Sequence, residues 1–183
     1  MTARGVAILG STGSVGRTAL RVLGRQREAF AVRALTAYSN ASLLREQVAA
    51  FGPTFVGIVQ PDSSACASWC SGPECLVTAA TRSDVQIVIN AVVGAAGLRA
   101  TLAALDAGKR VALANKETLV MAGALVTAAA QRGGGELVPV DSEHSAILQC
   151  IAGRPLSEVR RLIITASGGP FRTWDVRVSR PRR

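Results

Sequence analysis

The sequence predicts an α/β fold built on a doubly wound parallel sheet. Short apolar runs alternate along the chain with helical patterns of about 10–15 residues, the signature of βαβ units. The first run is continuous rather than alternating, as in a strand buried on both faces. Hydrophobic residues make up 49% of the 183 residues and charged ones 18%, with a mean hydropathy of +0.30. That balance supplies one sizeable core and excludes an intrinsically disordered chain. Parallel crossovers are nearly always right-handed, which leaves a doubly wound sheet as the natural outcome.

The elements follow in order. Val6-Ala7-Ile8-Leu9, between Gly5 and Gly10, reads as the first strand. Ser14 to Gly24 places Val15, Ala19, Leu20, Val22 and Leu23 at helical spacing, with Gly24 as the stop. Ala31 to Ala37 is a second strand, and Ser42 to Phe51 a helix ended by Gly52-Pro53. Phe55 to Val59 is a third strand. Gln60 to Ser83, rich in Ser, Cys and Pro, is read as irregular. Strand over Val85–Val92, helix over Gly97–Ala107 and strand over Arg110–Ala114 come next. A helix from Lys116 to Ala130 runs to Gly133-Gly134-Gly135. Glu136 to Val140 is a strand, Ser145 to Ile151 a short helix, and Val159 to Thr165 a last strand.

No run of about 18 uncharged apolar residues occurs, so no transmembrane helix is expected. MTARGVAILGSTG carries glycines where a secretory signal would be continuously apolar. Four cysteines without an export signal point to reduced thiols and a cytoplasmic protein. The net charge is +9 and the pI about 10.9. Residues 172 to 183 hold five arginines against Asp175, so much of that charge sits on a short tail. Such a tail can bind nucleic acid, though a solvated end is the simpler reading. The core offers no nucleic-acid motif, and at 4% its aromatics are too few for a base-stacking surface.

Gly10-Ser11-Thr12-Gly13-Ser14-Val15-Gly16 lies between the first strand and the first helix. Gly10 permits a tight turn, Gly13 lets backbone approach a phosphate, and Gly16 lets the helix pack closely. Free N–H groups and the positive dipole end suit a pyrophosphate. The spacing is G-x-x-G-x-x-G rather than G-x-G-x-x-G, in the strand–loop–helix context the motif requires. The alternative is a tight βα turn without a ligand. After the second strand, Ala37-Tyr38-Ser39-Asn40 holds no carboxylate for a ribose 2′-hydroxyl. Ser39 and Asn40 could bond a 2′-phosphate, which favours NADPH, but no Arg or Lys stands there to neutralise it.

Cys66, Cys70 and Cys75 are spaced C-x3-C-x4-C, and the one histidine, His144, lies far away. A zinc site needs four ligands, so buried or idle thiols are the expectation. No G-x-S-x-G elbow accompanies His144 for nucleophilic catalysis. Pro139-Val140-Asp141-Ser142-Glu143-His144-Ser145 follows a strand. In extended backbone Asp141 and Glu143 project to one side, where paired carboxylates could hold Mg²⁺ or Mn²⁺. Equally, Asp141 or Ser142 could cap a helix with Glu143 at its positive end. Asn115-Lys116-Glu117 also starts a helix after a strand, and could meet an anionic ligand or simply be a solvated helix start. Thr165 to Arg172 is a Gly-rich turn in which Ser167 and nearby N–H groups could bind a phosphate.

Taken together, GSTGSVG, INAVVGAAGL, ALANKETLVMAG, PVDSEHSAI and TASGGPFR closely resemble, in order and spacing, the 1-deoxy-D-xylulose 5-phosphate reductoisomerase family. The resemblance covers roughly residues 5 to 172. It implies a Rossmann-like NADPH-binding domain over 1–140, the start of a catalytic domain over 141–172, and a divergent basic tail over 173–183. It also implies rearrangement and NADPH-dependent reduction of a sugar phosphate, 1-deoxy-D-xylulose 5-phosphate, giving 2-C-methyl-D-erythritol 4-phosphate in non-mevalonate isoprenoid synthesis. A divalent metal would act as a Lewis acid and NADPH would supply hydride. By the same resemblance Gly10, Thr12, Gly13, Ser14, Val15, Asn40, Asn115 and Glu117 belong to the cofactor site. Lys116 would bind substrate and take part in catalysis. Asp141 and Glu143 would ligate Mg²⁺ or Mn²⁺, and Ser142, Glu143 and Ser167 would contact substrate. Family members usually form homodimers, with no membrane or nucleic-acid partner.

The chain departs from the family in two places. Tyr38-Ser39-Asn40 stands where the family has Gly-Lys-Asn, and loss of that Lys weakens the expected grip on a 2′-phosphate. Family members also continue, after GGPFR, into a Trp-bearing lid, an Asn-Lys-Gly-Leu-Glu segment with a third metal carboxylate, and a helical domain. Here the sequence reads TWDVRVSRPRR, as out-of-frame translation of an arginine-rich genome would. Two carboxylates alone hold such a cation weakly, and an absent lid leaves the site open to water. The expectation is a truncated chain with little or no activity alone, the alternative being a catalytically dead dinucleotide-binding remnant.

Overall fold

Val6, Ala7, Ile8 and Leu9 are all fully buried, which places their strand, β1 (Arg4–Leu9), inside the sheet rather than at its edge. The computed structural model describes residues 2–63 and 65–163. The chain divides into two units, Met1–Asp141 and Ser142–Arg183. The first continues with α1 (Ser14–Gly24), β2 (Phe30–Ala37), α2 (Ala41–Phe51), β3 (Phe55–Ile58), β4 (Cys70–Ser71) and α3 (Glu74–Thr81). It ends with β5 (Ile87–Asn90), a 3₁₀ turn (Gly94–Gly97), α4 (Leu98–Asp106), β6 (Arg110–Leu113), α5 (Lys116–Gly133) and β7 (Glu136–Pro139).

The seven strands form one parallel sheet in the order β4-β3-β2-β1-β5-β6-β7. The chain moves outward from β1 to β4, then returns through α3 to lay β5 on the other side of β1. Alternate residues of β1 serve the two faces, as strand geometry dictates. Val6 and Ile8 pack with Leu20 and Leu23 of α1 and with Ala41 and Leu44 of α2. Ala7 and Leu9 pack with residues of α3, α4 and α5, among them Ala79, Leu105 and Val126. Both faces are therefore covered and the sheet is doubly wound, as expected. One irregularity interrupts the alternation. Val6 pairs with Val32 but Ala7 with Ala34, leaving Arg33 as a bulge.

Helix ends follow local chemistry. The Asn40 side chain accepts a bond from the Leu43 N–H at 3.0 Å and caps α2. That helix ends at Gly52, whose φ of +58° suits the left-handed closing turn. The middle of α5 is broken at Ala122, where φ −144° and ψ 30° leave the helical region.

Several expectations are corrected. The stretch from Gln60 to Ser83 is not irregular throughout. It holds β4 and α3, whose Cys75, Leu76, Ala79 and Ala80 are core residues. The strand expected over Val85–Val92 is confined to Ile87–Asn90. Val85 is buried in a turn, and the segment after Asn90 is loop. The second unit begins with α6 (Ser142–Ile151), three residues earlier than expected, and continues with a 3₁₀ turn (Leu156–Glu158). Residues 159–163 are not strand, and the remainder of the expected Val159–Thr165 strand lies outside the described residues. Among the described residues no helix is long and apolar enough to cross a membrane.

Candidate functional site

The carboxyl ends of β1 and β5 are adjacent, and the connections leaving them run in opposite directions along the sheet. Open α/β sheets bind ligands in the crevice such a switch point creates. Here the crevice has three walls, from the loops that follow β1, β5 and β6.

The first wall is the glycine loop. Gly10 has φ +80°, and a Cβ on it would lie 2.9 Å from the Ala91 carbonyl oxygen. Its N–H and that of Ser11 both donate to the Thr36 carbonyl, at 3.0 and 2.8 Å. Gly16 sits under the loop, where a Cβ would be 2.4 Å from the Gly10 oxygen and 2.6 Å from the Ser11 Cα. Gly13 differs from both. It is exposed, its φ of −73° suits any residue, and an added Cβ would meet only the Gly10 oxygen, at 3.4 Å. It precedes α1 without a side-chain cap, and the first turn holds no acid. The opening N–H groups of α1 and its positive dipole end are thus left for a ligand.

The second and third walls are shaped by two asparagines. Asn90 is fully buried; its Nδ2 donates to the Gly97 carbonyl (3.0 Å) and Thr101 Oγ1 (2.8 Å), and its Oδ1 accepts from the Val92 N–H (3.1 Å). Asn115 donates through Nδ2 to the carbonyls of Val92 and Gly94, and accepts the Thr118 N–H at 3.2 Å as the cap of α5. Between them these side chains hold the loop after β5 in place. Together the loops enclose a cleft of about 180 Å³, lined by Gly13–Val15, Ala91–Val93, Ala114, Asn115 and Glu117. A larger groove of about 340 Å³ lies between α1 and α2, and none of the predicted site residues lines it.

The structure brings Gly13, Ser14, Val15, Asn115 and Glu117 to one cleft. Gly10 and Thr12 belong to the same loop, whereas Asn40 caps α2 at the end of β2. The amides of Asn115 and Asn40 already hold backbone groups. Lys116 Nζ forms an ion pair with Asp141 Oδ2 at 3.2 Å, with Asp141 largely buried and Lys116 exposed. Ser142 Oγ donates to Glu143 Oε2 at 2.7 Å in the first turn of α6. Asp141 closes the first unit and Glu143 belongs to the second. Among the described residues no group of three or more His, Cys, Asp or Glu could hold a metal ion. Ser167 lies outside the described residues.

The cysteines are free thiols. Burial pushes the Cys75 thiol up to about 12, so it stays protonated and inert. Sequence reasoning missed Gln47, Thr36 and Asn90. A signal existed for Gln47: it continues the apolar face of α2 one turn after Leu44, where a polar residue needs a partner.

The fold and its crevice define the class: a Rossmann-like, doubly wound α/β protein with a glycine-rich loop at the topological switch point. A family model for 1-deoxy-D-xylulose 5-phosphate reductoisomerase matches residues 6–123, and one for that enzyme's C-terminal domain matches residues 137–180. The chain belongs to the 1-deoxy-D-xylulose 5-phosphate reductoisomerase family. The reductoisomerase of Symbiobacterium thermophilum is 48% identical over 184 residues, covering 92% of this chain and 47% of its own. That of Nocardia farcinica is 47% identical, covering 94% and 44%. The reductoisomerase from Zymomonas mobilis, solved in complex with NADPH, superposes with a TM-score of 0.85 at 41% identity, over 96% of this chain and 48% of that one. A DOX-P reductoisomerase solved with NADPH, fosmidomycin and magnesium gives 0.76 at 39% identity, over 82% and 39%. The chain spans about half the length of the curated relatives it matches.

Proposed function

We propose that this chain binds NADPH in the switch-point cleft and contributes it to the reduction of 1-deoxy-D-xylulose 5-phosphate. The observation that carries the reading is the glycine loop with its uncapped helix start, facing a cleft walled by two further βα loops. The residues fit a dinucleotide. The space beside Gly13 is open, a Cβ there meeting only the Gly10 oxygen at 3.4 Å, and the N–H groups of Ser14 and Val15 stand at the positive end of α1, where a phosphate would be received. Bound there, NADPH supplies hydride. The protein's own part is to hold the pyrophosphate on backbone N–H groups and to wall the cleft with the Asn90- and Asn115-braced loop. Two relatives of similar fold, solved with NADPH bound, support the assignment.

The metal belongs to the same proposal on narrower support. Relatives are solved with magnesium, and the resemblance assigns Asp141 and Glu143 as its carboxylates. Mg²⁺ keeps several waters and uses one or two carboxylates, which these two residues could supply. Lys116, Ser142 and Ser167 are proposed substrate contacts, Lys116 already paired with Asp141. A homodimer in the cytoplasm completes the reading.

Titrating the chain with NADPH and following nicotinamide fluorescence tests it. Saturable binding of one NADPH per chain is expected, and a folded chain that binds none refutes the reading. The second reading is a module that binds dinucleotide without turnover. NADPH oxidation that depends on 1-deoxy-D-xylulose 5-phosphate and Mg²⁺ would exclude it.

A further inference from the structure

Gln47 is a buried amide on the otherwise apolar inner face of α2, with Ala41 and Leu44 as its buried neighbours on that face. Both ends of its side chain are committed to one residue of the glycine loop. Oε1 accepts from the Ser11 hydroxyl at 2.7 Å, and Nε2 donates to the Ser11 carbonyl at 3.0 Å. Ser11 is itself fully buried. Exchanging such a bonded amide for an apolar side chain costs little stability when both partners change together. What the apolar side chain cannot do is fix a peptide plane. Because the peptide is planar and trans, a Ser11 carbonyl held toward α2 turns the Thr12 N–H away from α2.

We propose that Gln47 is a positioning residue for dinucleotide binding: its two-point clamp on Ser11 sets the peptide geometry that presents the phosphate-binding loop. The inference rests on the proposed NADPH site and adds a residue outside the cleft to it. The loop is held from β2 by the Thr36 carbonyl and from α2 by Gln47, so its shape is established before the ligand arrives. Preorganisation of this kind appears as affinity.

The test compares two ligands on the 183-residue chain: NADPH, which carries the pyrophosphate, and 2′-phosphoadenosine, which does not. In Gln47→Leu the NADPH dissociation constant is expected to rise about tenfold, which corresponds to about 1.4 kcal/mol. Affinity for 2′-phosphoadenosine should stay at the wild-type value. Equal weakening of both ligands, or no weakening of either, overturns the proposal. Wild-type protein that binds 2′-phosphoadenosine and NADPH equally tightly also overturns it, because the loop then contributes nothing. If Gln47→Leu does not fold, Ser11→Ala decides, since it removes the hydroxyl half of the clamp and keeps the carbonyl half. A smaller selective loss for NADPH is then expected, and unchanged NADPH affinity refutes the clamp. Wild-type protein that binds neither ligand removes the proposed function itself, and the inference with it.

Discussion

Gly13 and Gly16 are three residues apart, one capping α1 and one in its first turn, and the structure gives them different tasks. Their alanine variants should therefore fail in different assays. At Gly16 an added Cβ falls 2.4, 2.6 and 2.8 Å from atoms of Gly10 and Ser11, all backbone. The nearest contact is about 1 Å short of the ordinary 3.4 Å, and no rotamer change relieves it. Overpacking of this severity lies at or above the top of the usual range, about 3 kcal/mol. Alanine recovers at most about 1 kcal/mol of helix propensity. The net loss is at least about 2 kcal/mol, and at about 2–4 °C per kcal/mol the Tm should fall by at least about 4 °C. At Gly13 the nearest atom is 3.4 Å away and the backbone is extended, so the methyl group causes no clash. The lost conformational freedom of the unfolded chain and the poorer cap roughly cancel, leaving Tm within about 2 °C. In the proposed site the same methyl would stand where the phosphate approaches the loop, so NADPH affinity should fall about tenfold or more, a cost of at least about 1.4 kcal/mol. Thermal unfolding by circular dichroism and NADPH titration on both variants make the assay. A Gly16→Ala protein as stable as wild type, or a Gly13→Ala protein with unchanged affinity, refutes the reasoning.

Other outcomes follow from the same geometry. Asn115→Leu removes the α5 cap and leaves two loop carbonyls unbonded, so it should cost about 3 kcal/mol, read as a fall in Tm. Asp84 accepts bonds from Arg82 and Thr54, and the Arg82 bond chiefly holds its carboxyl below the ordinary 3.8. A depressed folded-state pKa gives stability that is present above 3.8 and lost as pH falls through the folded value. The stability advantage of wild type over Asp84→Asn should therefore be constant near neutrality and vanish in acid titrations below pH 3.8. An aromatic disulfide reagent should label the exposed Cys66 and Cys150 in the folded chain, with Cys66 faster because Ser68 hydrogen bonds lower its thiol. Cys75 should react only after denaturation, and rapid labelling of Cys75 would show that α3 is not packed as described.

The sequence made the sheet legible where burial is absolute. Val6–Leu9 is apolar at every position because β1 is covered on both faces, and Gly10 after it marks a turn a bulkier residue could not make. Helix α3 was hidden for a physical reason. It is only eight residues long, about two turns, so its buried Cys75, Leu76, Ala79 and Ala80 do not repeat often enough to show a helical period in a stretch rich in Ser, Cys and Pro. The bulge at Arg33 was equally hidden, because it arises from strand pairing and has no local cue. At the site, motif residues were legible but their duties were not. Nothing local to Asn115 says that its amide braces Val92 and Gly94, more than twenty residues earlier. Gln47 and Ser11 likewise meet only because α2 and the glycine loop share one face of the sheet.

The central claim is that the switch-point cleft holds the dinucleotide, and backbone amide chemical shifts read it residue by residue. On adding NADPH to isotope-labelled chain, the largest shifts should fall on Gly13–Val15, Ala91–Val93 and Asn115–Glu117. Shifts concentrated instead on the groove between α1 and α2, or a folded chain with no shifts at saturating NADPH, would contradict it.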